Sequence, residues 1–383
     1  MSVKVGLIGV SGYSSVHLGL LEPLIKNGTV ELCACVCINP DQVAEKLEEM
    51  KGWGVKIYPS TEAMYAEWSG KLDLVCIPTG IAFHERMTAE ALKNGVNVLV
   101  EKPVTSSNES VARMIKAEKE ANGKFVAVGF QHTYAREIQF IKQYLVSGRL
   151  GNVRKVVCSG VWPRNDAYYA RNNWAGKLYA ADGTPVWDSP VNNAFAHYLN
   201  IELFLSGNAF DESAHAVSVE GKLYRARENI ETFDTCALRF KTQAGTEIIT
   251  MLTHAGAEGT DVDIRLECEK GEVFWNSGNG WKIVSEEGNV LYSGISEAPQ
   301  GDMYQDIIRK ASGKQVFCCT LQVAAEHANC VDMLTRQLTP VVVKETVTRD
   351  SENGQYVMDN INAVFAECQK AGKLPEEIGV IWK

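Results

Sequence analysis

The sequence predicts an α/β protein in which a doubly wound parallel sheet precedes an α+β domain with a large, mostly antiparallel open sheet. Strand-like and helix-like segments alternate in the first part of the chain, whereas strand-like segments separated by glycines dominate beyond residue 150. A chain of 383 residues is also too long for one ordinary core. We therefore expect two domains, 1–130 and 131–383, with a C-terminal tail that could return to the first.

The first domain is predicted from short apolar runs, which are typical of strands buried on both faces. The predicted strands are Val3–Gly9, Val30–Ile38, Asp73–Ile77, Val96–Val100 and Phe125–Gly129. The predicted helices run from the first strand to Asn27 and over Pro40–Lys51, Ala82–Asn94 and Asn108–Ala121. Such alternation gives a parallel sheet with right-handed crossovers, the Rossmann arrangement.

The second domain is predicted from closely spaced strands, several of them joined at glycine turns. The predicted strands are Val153–Val161, Ala216–Leu223, Thr235–Lys241, Thr246–Thr253, Val262–Glu269, Glu272–Trp275, Trp281–Val284 and Asn289–Tyr292. The predicted helices are Pro190–Leu205, Met303–Ala311 and Leu321–Thr335. Close spacing favours antiparallel pairing, with one sheet face on the domain's own helices and the other on water or a second subunit.

Composition narrows the class of protein. A net charge of −9 and the absence of a basic run argue against a nucleic-acid partner. No apolar stretch approaches the ~20 residues that span a bilayer, and the N-terminus leads directly into a strand instead of a signal peptide. The 11 cysteines lie mostly in apolar runs without a CxxC pair, so we expect buried thiols, a reducing cytoplasm and no metal site.

A phosphate-binding loop is predicted where the first strand meets the first helix. Gly9, Ser11 and Ser14 occupy the three positions of a GxGxxG pattern, and Gly12 and Tyr13 lie between them. Such a tight turn presents backbone N–H groups and the positive end of a helix to a pyrophosphate. Serine is a small substitute for glycine that keeps a donor, so we expect these five residues to contact a dinucleotide.

The end of the second strand bears on the choice between NAD and NADP. An acidic side chain there would bind the ribose hydroxyls of NAD, whereas a nearby arginine would accept the 2′-phosphate of NADP. The sequence has Asn39 followed by Pro40, with no Arg or Lys close by. We therefore expect NAD, with NADP not excluded. Asn39 and Pro40 are equally compatible with a simple turn and helix start.

The tripeptide Glu101-Lys102-Pro103 follows the apolar strand Val96–Val100. Ligands of open α/β sheets bind at the carboxyl ends of strands, which is where Lys102 lies. The proline restricts the backbone around this lysine. With the nucleotide loop, this pattern predicts a lysine beside a hydride-transfer centre. A solvated lysine in a βα loop is the alternative for the tripeptide alone.

The chain resembles the Gfo/Idh/MocA family of NAD(P)-dependent oxidoreductases over nearly its whole length. Besides the nucleotide loop, the resemblance depends on Ile77-Pro78-Thr79 with His84, on Val98–Pro103, on Val128–Gln131, on Ser147–Gly151 and on His197 with Gly207. It implies oxidation or reduction of a carbon–oxygen centre on a sugar, sugar derivative or cyclitol. It also implies a homodimer or homotetramer that packs through the open sheet.

The resemblance further implies individual residue roles. Lys102 and His197 match the two catalytic positions of the family, and Asn193 stands where many members have aspartate. Residues matched to the cofactor site, beyond the phosphate loop and Asn39, are Pro78, Thr79, His84, Glu101 and Lys102.

The residues around His197 suggest how an alcohol would lose its proton. Ser189 and Pro190 are typical of a helix start, so Asn193 and His197 are expected on one helical face. Histidine suits general-base work near neutral pH, and a lysine ammonium stabilises a developing alkoxide. Asn193 could orient His197 but brings no charge, and Asp188 is expected to lie off that face. For an isolated histidine, a core position would be the simpler interpretation.

The segment Trp162–Trp174 is rich in aromatic, amide and arginine side chains. Aromatic faces suit the C–H surfaces of sugars, and arginines suit hydroxyls or a carboxylate. We expect a substrate pocket here, formed by Arg164, Asn165, Tyr169 and Trp174. An inter-domain or inter-subunit loop would draw on the same residue types.

Three functions are compatible with these patterns. The first is an NAD(P)-dependent sugar or cyclitol dehydrogenase acting on CH–OH groups. The second is a glycoside-cleaving enzyme that uses the same hydride transfer transiently and does not consume NAD. The third is a non-catalytic dinucleotide-binding regulator, which would have no chemical need for both Lys102 and His197.

Overall fold

The computed structural model describes residues 2–296 and 299–383. The chain divides into two compact units, Met1–Ala135 with Ala298–Ala325 and Arg136–Glu297 with Glu326–Lys383. The segment that returns to the first unit is therefore Ala298–Ala325, whereas the C-terminal tail belongs to the second unit.

The strands and helices are numbered in chain order. The strands are β1 (Val3–Ile8), β2 (Val30–Val36), β3 (Lys56–Tyr58), β4 (Leu74–Ile77), β5 (Asn97–Val100), β6 (Val126–Val128), β7 (Val153–Val161), β8 (Ala216–Arg225), β9 (Thr235–Thr242), β10 (Glu247–Thr253), β11 (Asp263–Cys268), β12 (Gly271–Asn276), β13 (Gly280–Ser285), β14 (Val290–Gly294), β15 (Val341–Val342), β16 (Val347–Arg349) and β17 (Tyr356–Met358). The α-helices are α1 (Ser14–Lys26), α2 (Ala44–Gly52), α3 (Thr61–Trp68), α4 (His84–Lys93), α5 (Asn108–Lys119), α6 (Arg136–Val146), α7 (Asp166–Ala170), α8 (Ala196–Ser206), α9 (Gln300–Ala311), α10 (Leu321–Gln337) and α11 (Ile361–Ala371).

The first unit is built on a six-stranded parallel sheet in the order β3-β2-β1-β4-β5-β6. Strands β4, β5 and β6 are buried along their whole length, as expected when helices cover both faces of a sheet. The strand order reverses between β1 and β4, and ligands of such sheets bind outside the carboxyl ends of the strands at that point. The predicted Rossmann sheet is confirmed.

The second unit is built on a nine-stranded sheet in the order β14-β13-β12-β11-β7-β10-β9-β8-β15. Only the pairs β7–β10 and β8–β15 are parallel among its described ladders, so the prediction of a mostly antiparallel sheet is confirmed. The central pair β7–β10 runs from Lys155 opposite Glu247 to Val161 opposite Thr253. Because this pair is parallel, both of its carboxyl ends meet at one edge, where loops can combine into a site.

The two faces of the central strands are covered differently. Helix α8 packs on one face, where Thr250 of β10 donates a hydrogen bond to Glu202. The other face carries a hydrophobic core formed with the C-terminal segment, and its members include Val157, Ile249, Phe365 and Trp382. The C-terminal segment, which the sequence did not predict as ordered structure, therefore covers part of a face expected to remain open.

The predicted helix Pro190–Leu205 is wrong in its first third. Pro190–Asn192 forms a short 3₁₀-helix, and α8 begins only at Ala196. Asn193 interrupts the helix with φ −139° and ψ −90°. Its side chain donates to a carboxylate instead of facing solvent, and asparagine side chains of this kind compete with helix formation. Asn193 and His197 are therefore not neighbours on one α-helical face.

Within the described ranges, no helix combines the length and apolar character required to cross a membrane.

Candidate active site

The predicted phosphate loop forms a tight turn at the start of α1. Gly9 has φ +103°, and a Cβ atom there would lie 2.6 Å from the Oγ of Ser14. Gly12 has φ +62°, and Ser15 Oγ donates to its carbonyl at 2.7 Å. Ser11, Gly12 and Tyr13 are exposed, so the first-turn amides of α1 open outward at the end of β1. This cradle fits the pyrophosphate of a dinucleotide.

A cavity of about 340 Å³ lies beside this loop. The side chains that line it come from the carboxyl ends of β1, β2 and β4 and from α3 and α4, and include Ile38, Thr61, Thr79, Phe83 and Arg86. The lining is predominantly apolar and includes the side chains of Ile38 and Phe83. A cavity for an adenosine group would have this character. Arg86 was missed by the sequence analysis because it lies on α4, far along the chain from the end of β2 that lines the same cavity.

The loop after β5 is held from below by a buried network. Glu101 is 4% exposed; its Oε1 lies 2.9 Å from Nε2 of His17, and its Oε2 accepts from the backbone N–H of Lys102 at 3.0 Å. Nδ1 of His17 lies 2.6 Å from the hydroxyl of Tyr304. Both carboxylate oxygens of Glu101 thus have partners within the first unit. Gly129 leaves room for this carboxylate, because a Cβ there would lie 2.6 Å from its Oε1.

His84 joins the two loops at the carboxyl ends of β4 and β5. Its ring nitrogens lie 2.9 Å from the carbonyl oxygen of Pro103 and 3.0 Å from that of Thr79. The ring is 1% exposed, and burial lowers its pKa. The peptide bond between Lys102 and Pro103 is cis. His84 therefore ties together the backbones of the loops after β4 and β5, and it does not present a ring nitrogen to solvent.

His132 is a second residue that the sequence analysis missed. It lies in the 3₁₀-helix Gln131–Tyr134 after β6. Burial, followed by the positive charge of Lys102, lowers its pKa to about 4. The half-buried Lys102 therefore has a neutral imidazole in its neighbourhood at physiological pH. The signal in the sequence was its position directly after a strand end, beside the Val128–Gln131 motif.

In the second unit, the loop after β7 is tied to the end of β10. The backbone N–H groups of Trp162 and Arg164 donate to the carbonyls of Thr253 and His254, each at 3.0 Å. Nδ1 of His254 lies 2.9 Å from the carbonyl oxygen of Trp162. The His254 ring stacks on Phe195 with 5.2 Å between centroids. The aromatic loop is thereby fixed at the carboxyl ends of the parallel pair.

Two arginines stack against this aromatic surface. The guanidinium carbons of Arg164 and Arg171 lie 4.7 and 3.8 Å from the ring centroid of Tyr168. Burial lowers the pKa of His254 to about 3, and the charges of both arginines contribute to that shift. Nη2 of Arg171 lies 3.8 Å from Asp188, whereas Nε of Arg164 is buried without a hydrogen-bond partner among the described residues. The cluster of Arg164, Tyr168, Arg171 and His254 is therefore positively charged.

The other predicted pocket residues have different surroundings. Oδ1 of Asn165 accepts from the backbone of Tyr168 at 3.2 Å and so caps α7. The ring of Tyr169 faces the guanidinium of Arg227, 4.6 Å away. Trp174 lies 5.3 Å from the guanidinium carbon of Arg171. Arg164 and Trp174 thus share the arginine-rich surface, whereas Asn165 and Tyr169 hold the loop in place.

His197 occupies the first turn of α8 and is 9% exposed. Asn193 precedes that helix, and its Nδ2 donates to Oδ1 of Asp188 at 2.7 Å. Asp188, expected to lie off the site, is therefore the carboxylate that Asn193 contacts. No sequence signal linked Asp188 to Asn193. Their contact depends on the break in the helix at Asn193, between the 3₁₀-helix Pro190–Asn192 and α8.

No group of three or more His, Cys, Asp or Glu side chains suited to a metal ion occurs in the described part of the chain.

Comparisons with known proteins show similarity to one family over the first third of the chain. Residues 3–130 match the family model GFO_IDH_MocA, described as an oxidoreductase family with an NAD-binding Rossmann fold. The chain is 25% identical over 305 residues to an inositol 2-dehydrogenase of Pseudomonas savastanoi pv. phaseolicola, covering 80% of this chain and 76% of that protein. It is 23% identical over 271 residues to an inositol 2-dehydrogenase of Klebsiella pneumoniae, covering 71% and 69%.

Solved structures share the fold. The WlbA dehydrogenase of Bordetella pertussis, in complex with NADH and UDP-GlcNAcA, superposes with a TM-score of 0.71 at 21% identity, covering 88% of this chain and 96% of that one. UDP-N-acetylglucosamine 3-dehydrogenase GnnA of Acidithiobacillus ferrooxidans gives a TM-score of 0.67 at 17% identity, covering 88% and 98%.

The expected oxidoreductase class and the expected NAD cofactor are confirmed by the family match. Residues 3–130, a third of the chain, therefore match the NAD-binding Rossmann domain of this oxidoreductase family.

Proposed function

We propose that this protein is an NAD-dependent dehydrogenase of a secondary hydroxyl on a cyclitol or sugar, with Lys102 and His197 as its catalytic residues. The observation that carries the proposal is the restrained Lys102 loop within an NAD-binding oxidoreductase domain. The sequence relatives are inositol 2-dehydrogenases, which supports a cyclitol or related polyol as substrate.

The two catalytic residues divide the work. The imidazole of His197 accepts the proton of the substrate hydroxyl as the carbonyl forms. The ammonium of Lys102 stabilises the developing alkoxide by charge and hydrogen bonding. NAD⁺ bound on the phosphate loop would supply the hydride acceptor for this oxidation. Gly9, Ser11, Gly12, Tyr13 and Ser14 would hold its pyrophosphate.

Of the remaining residues assigned to the cofactor site, some would contact the cofactor directly and others would support the loops around it. Asn39 would contact the adenosine ribose, and Pro78 and Thr79 would border the cofactor at the end of β4. Glu101 and His84 would act through the backbone, since their polar atoms already contact His17, Lys102, Thr79 and Pro103. We therefore assign Glu101 a positioning role.

Formation of NADH with a panel of inositols, neutral sugars and uronic acids tests the function. Lys102→Met should lower kcat by roughly two orders of magnitude with the substrate that turns over best. Lys93→Met, at the end of α4, is a matched control and should retain wild-type turnover. Unchanged kinetics in Lys102→Met would remove this lysine from the mechanism.

The arginine cluster supports a substrate with a negative group. A part-buried guanidinium without an opposing charge is costly, and a bound carboxylate would neutralise it. Arg171 already faces Asp188, whereas Arg164 carries the excess charge. We propose that Arg164 binds a substrate carboxylate and that Trp174, Tyr169 and Asn165 border or support the pocket.

This substrate class is tested with Arg164→Gln. The KM for glucuronate should rise at least tenfold, whereas the KM for glucose should change little. Arg225→Gln is a matched control, because its guanidinium donates to the carbonyls of Glu231 and Thr232. An equal rise in KM for both sugars would exclude carboxylate recognition by Arg164. The proposed dehydrogenase function would not be affected by that result.

The two other functions give different results. A glycoside-cleaving enzyme would release product from a glycoside without net NADH. A regulator would bind NAD and turn over none of the panel.

We also propose that the protein forms a homodimer or homotetramer in a reducing cytoplasm. The C-terminal segment occupies one face of β7, β8, β9 and β10, so a homodimer or homotetramer would have to use the outer strands β11–β14 or this segment. Sedimentation of the wild-type protein tests it. Eleven free cysteines support a reducing cytoplasm.

A further inference from the structure

We propose that Asp188 is a positioning residue, which supplies the negative charge that Asn193 lacks by accepting a hydrogen bond from its amide. This inference deepens the proposed dehydrogenase function and depends on it. The contact joins Nδ2 of Asn193 to Oδ1 of Asp188 at 2.7 Å.

Asp188 is held by several groups at once. It is 5% exposed, its Oδ2 accepts from the backbone N–H of Gly176 at 2.7 Å, and Nη2 of Arg171 lies 3.8 Å away. Its own carbonyl accepts from the hydroxyl of Thr232. The backbone N–H of Gly176, the amide of Asn193 and the guanidinium of Arg171 are hydrogen-bond donors or cations, which suit a carboxylate acceptor.

The backbone before Asp188 is strained in a way that fixes its direction. Trp187 has φ +40°, a region that a bulky L-residue rarely adopts, and it is 6% exposed. Residues in such conformations persist when their surroundings determine them, and they concentrate at functional sites. The strained tryptophan therefore presents Asp188 at one defined place beside the start of α8.

The carboxylate decides which way the amide of Asn193 points. An ionised carboxylate only accepts hydrogen bonds, so the NH₂ group of Asn193 must face Asp188. The Oδ1 atom of Asn193 then lies on the opposite side of the amide and presents an acceptor there. An aspartate at 193 would also present an acceptor oxygen. A hydrogen bond to a charged group polarises the amide and makes that oxygen more negative.

The relation of Asn193 to the base is one of sequence and helix geometry. Asn193 precedes α8 by three residues, and His197 is the second residue of that helix. The carbonyl of Asn193 accepts from the backbone N–H of Ala196 at 3.3 Å, which ties its backbone to the first turn. The oriented, polarised amide is thus fixed to the helical turn that carries the proposed base.

A charge-relocation experiment separates this role from simple structural support. In Asp188→Asn the new amide can donate as well as accept, so a carboxylate no longer fixes the orientation of the Asn193 amide. The kcat should fall by about tenfold or more, with the KM for NAD unchanged. In the double variant Asp188→Asn/Asn193→Asp, the carboxylate stands at 193 and is held by the amide at 188. This variant should recover most of the lost kcat.

Asn193→Leu provides the second arm, because it leaves Asp188 bonded to Gly176 and Arg171. It should lower kcat about as much as Asp188→Asn does, even if the latter folds poorly. Asp234→Asn is a matched control. Asp234 is also a buried aspartate, and it accepts hydrogen bonds from the backbone N–H groups of Ala226 and Arg227. The folded fraction of this variant should have the wild-type kcat.

The outcomes separate the two levels of proposal. A double variant no faster than Asp188→Asn, or an Asn193→Leu variant with wild-type kcat, would overturn the role of Asp188 while leaving the dehydrogenase function intact. Absence of NADH formation by the wild-type protein on the whole substrate panel would overturn the function and the role of Asp188 together.

Discussion

The side chain of His17 on α1 lies 2.9 Å from the carboxylate of Glu101, which in turn accepts a hydrogen bond from the backbone of Lys102. His17 and Glu101 are 1% and 4% exposed. Nε2 of His17 faces the carboxylate of Glu101, and Nδ1 lies 2.6 Å from the hydroxyl of Tyr304. The helix proposed to bind the pyrophosphate and the loop that carries the proposed catalytic lysine are thereby joined by one buried network.

Replacing His17 should therefore affect catalysis without touching substrate. His17→Leu leaves the Glu101 carboxylate without its imidazole donor, which we expect to cost about 1–3 kcal/mol of unfolding free energy. Loss of restraint on Lys102 should also lower kcat by about tenfold. Steady-state kinetics and urea unfolding measure the two effects. His215→Gln, at an exposed pair with Glu326, is the control, and a His17→Leu enzyme with wild-type kcat would contradict the network's role.

Cofactor choice can be tested at the end of β2. Asn39→Asp should increase the preference for NAD over NADP by at least fivefold, because a carboxylate repels the 2′-phosphate and accepts hydrogen bonds from the ribose hydroxyls. The ratio of kcat/KM for the two cofactors is the measurement. Asp41→Asn, two residues further along in the 3₁₀-helix Pro40–Val43, is the control. An unchanged ratio would show that residue 39 does not contact the ribose.

Lys142 closes the C-terminal end of α8. The side chain is fully buried, and its ammonium donates to the carbonyls of Phe204, Gly207 and Glu212 at 2.6, 2.7 and 3.0 Å. Lys142→Met would remove the buried donor from all three carbonyls, of which that of Phe204 keeps the backbone N–H of Gly207, at a cost of roughly 3 kcal/mol. Chemical denaturation measures this loss of unfolding free energy. The exposed pair Lys26–Glu22 supplies the control, since Lys26→Met should not change stability measurably. A similar stability for Lys142→Met and wild type would refute the capping role.

The sequence predicted those elements and residues whose signals lie within one short, contiguous segment. The strand β1 was placed to within one residue, as Val3–Gly9 against Val3–Ile8, because a strand buried on both faces is a continuous apolar run. The short strand β3 is only Lys56–Tyr58 and half-exposed, so it gave no such signal. Lys102 was identified because its motif is contiguous.

Contacts between distant positions could not be predicted in this way. Tyr304 reaches His17 across 287 positions, and nothing in either segment marks the other. The contact between Asp188 and Asn193 was missed because the predicted helix ran through Asn193, where the structure interrupts it. Residues that depend on tertiary partners appear only once the chain is folded.

A buried acid predicts the pH dependence of stability. Glu202 on α8 is 0% exposed, and its Oε2 accepts from the hydroxyl of Thr250 at 2.6 Å. Burial raises its pKa from 4.5 to about 8, and its titratable neighbours, the thiols of Cys158, Cys236 and Cys330, are themselves held protonated by burial. The folded protein thus binds this proton more tightly than the unfolded chain. Its stabilising contribution is fully present below pH ~4.5 and is lost as the pH rises through about 8.

Glu202→Gln removes that titration and keeps an acceptor for Thr250. The wild-type free energy of unfolding should fall relative to the variant by on the order of 3–5 kcal/mol between pH ~4.5 and ~8. Urea unfolding of both proteins across this range measures the difference. Glu220→Gln, at the exposed pair with Arg239, should keep the wild-type slope. Parallel pH curves for wild type and Glu202→Gln would mean that Glu202 ionises in the folded protein as readily as in the unfolded chain, which its complete burial and single hydroxyl donor make unfavourable.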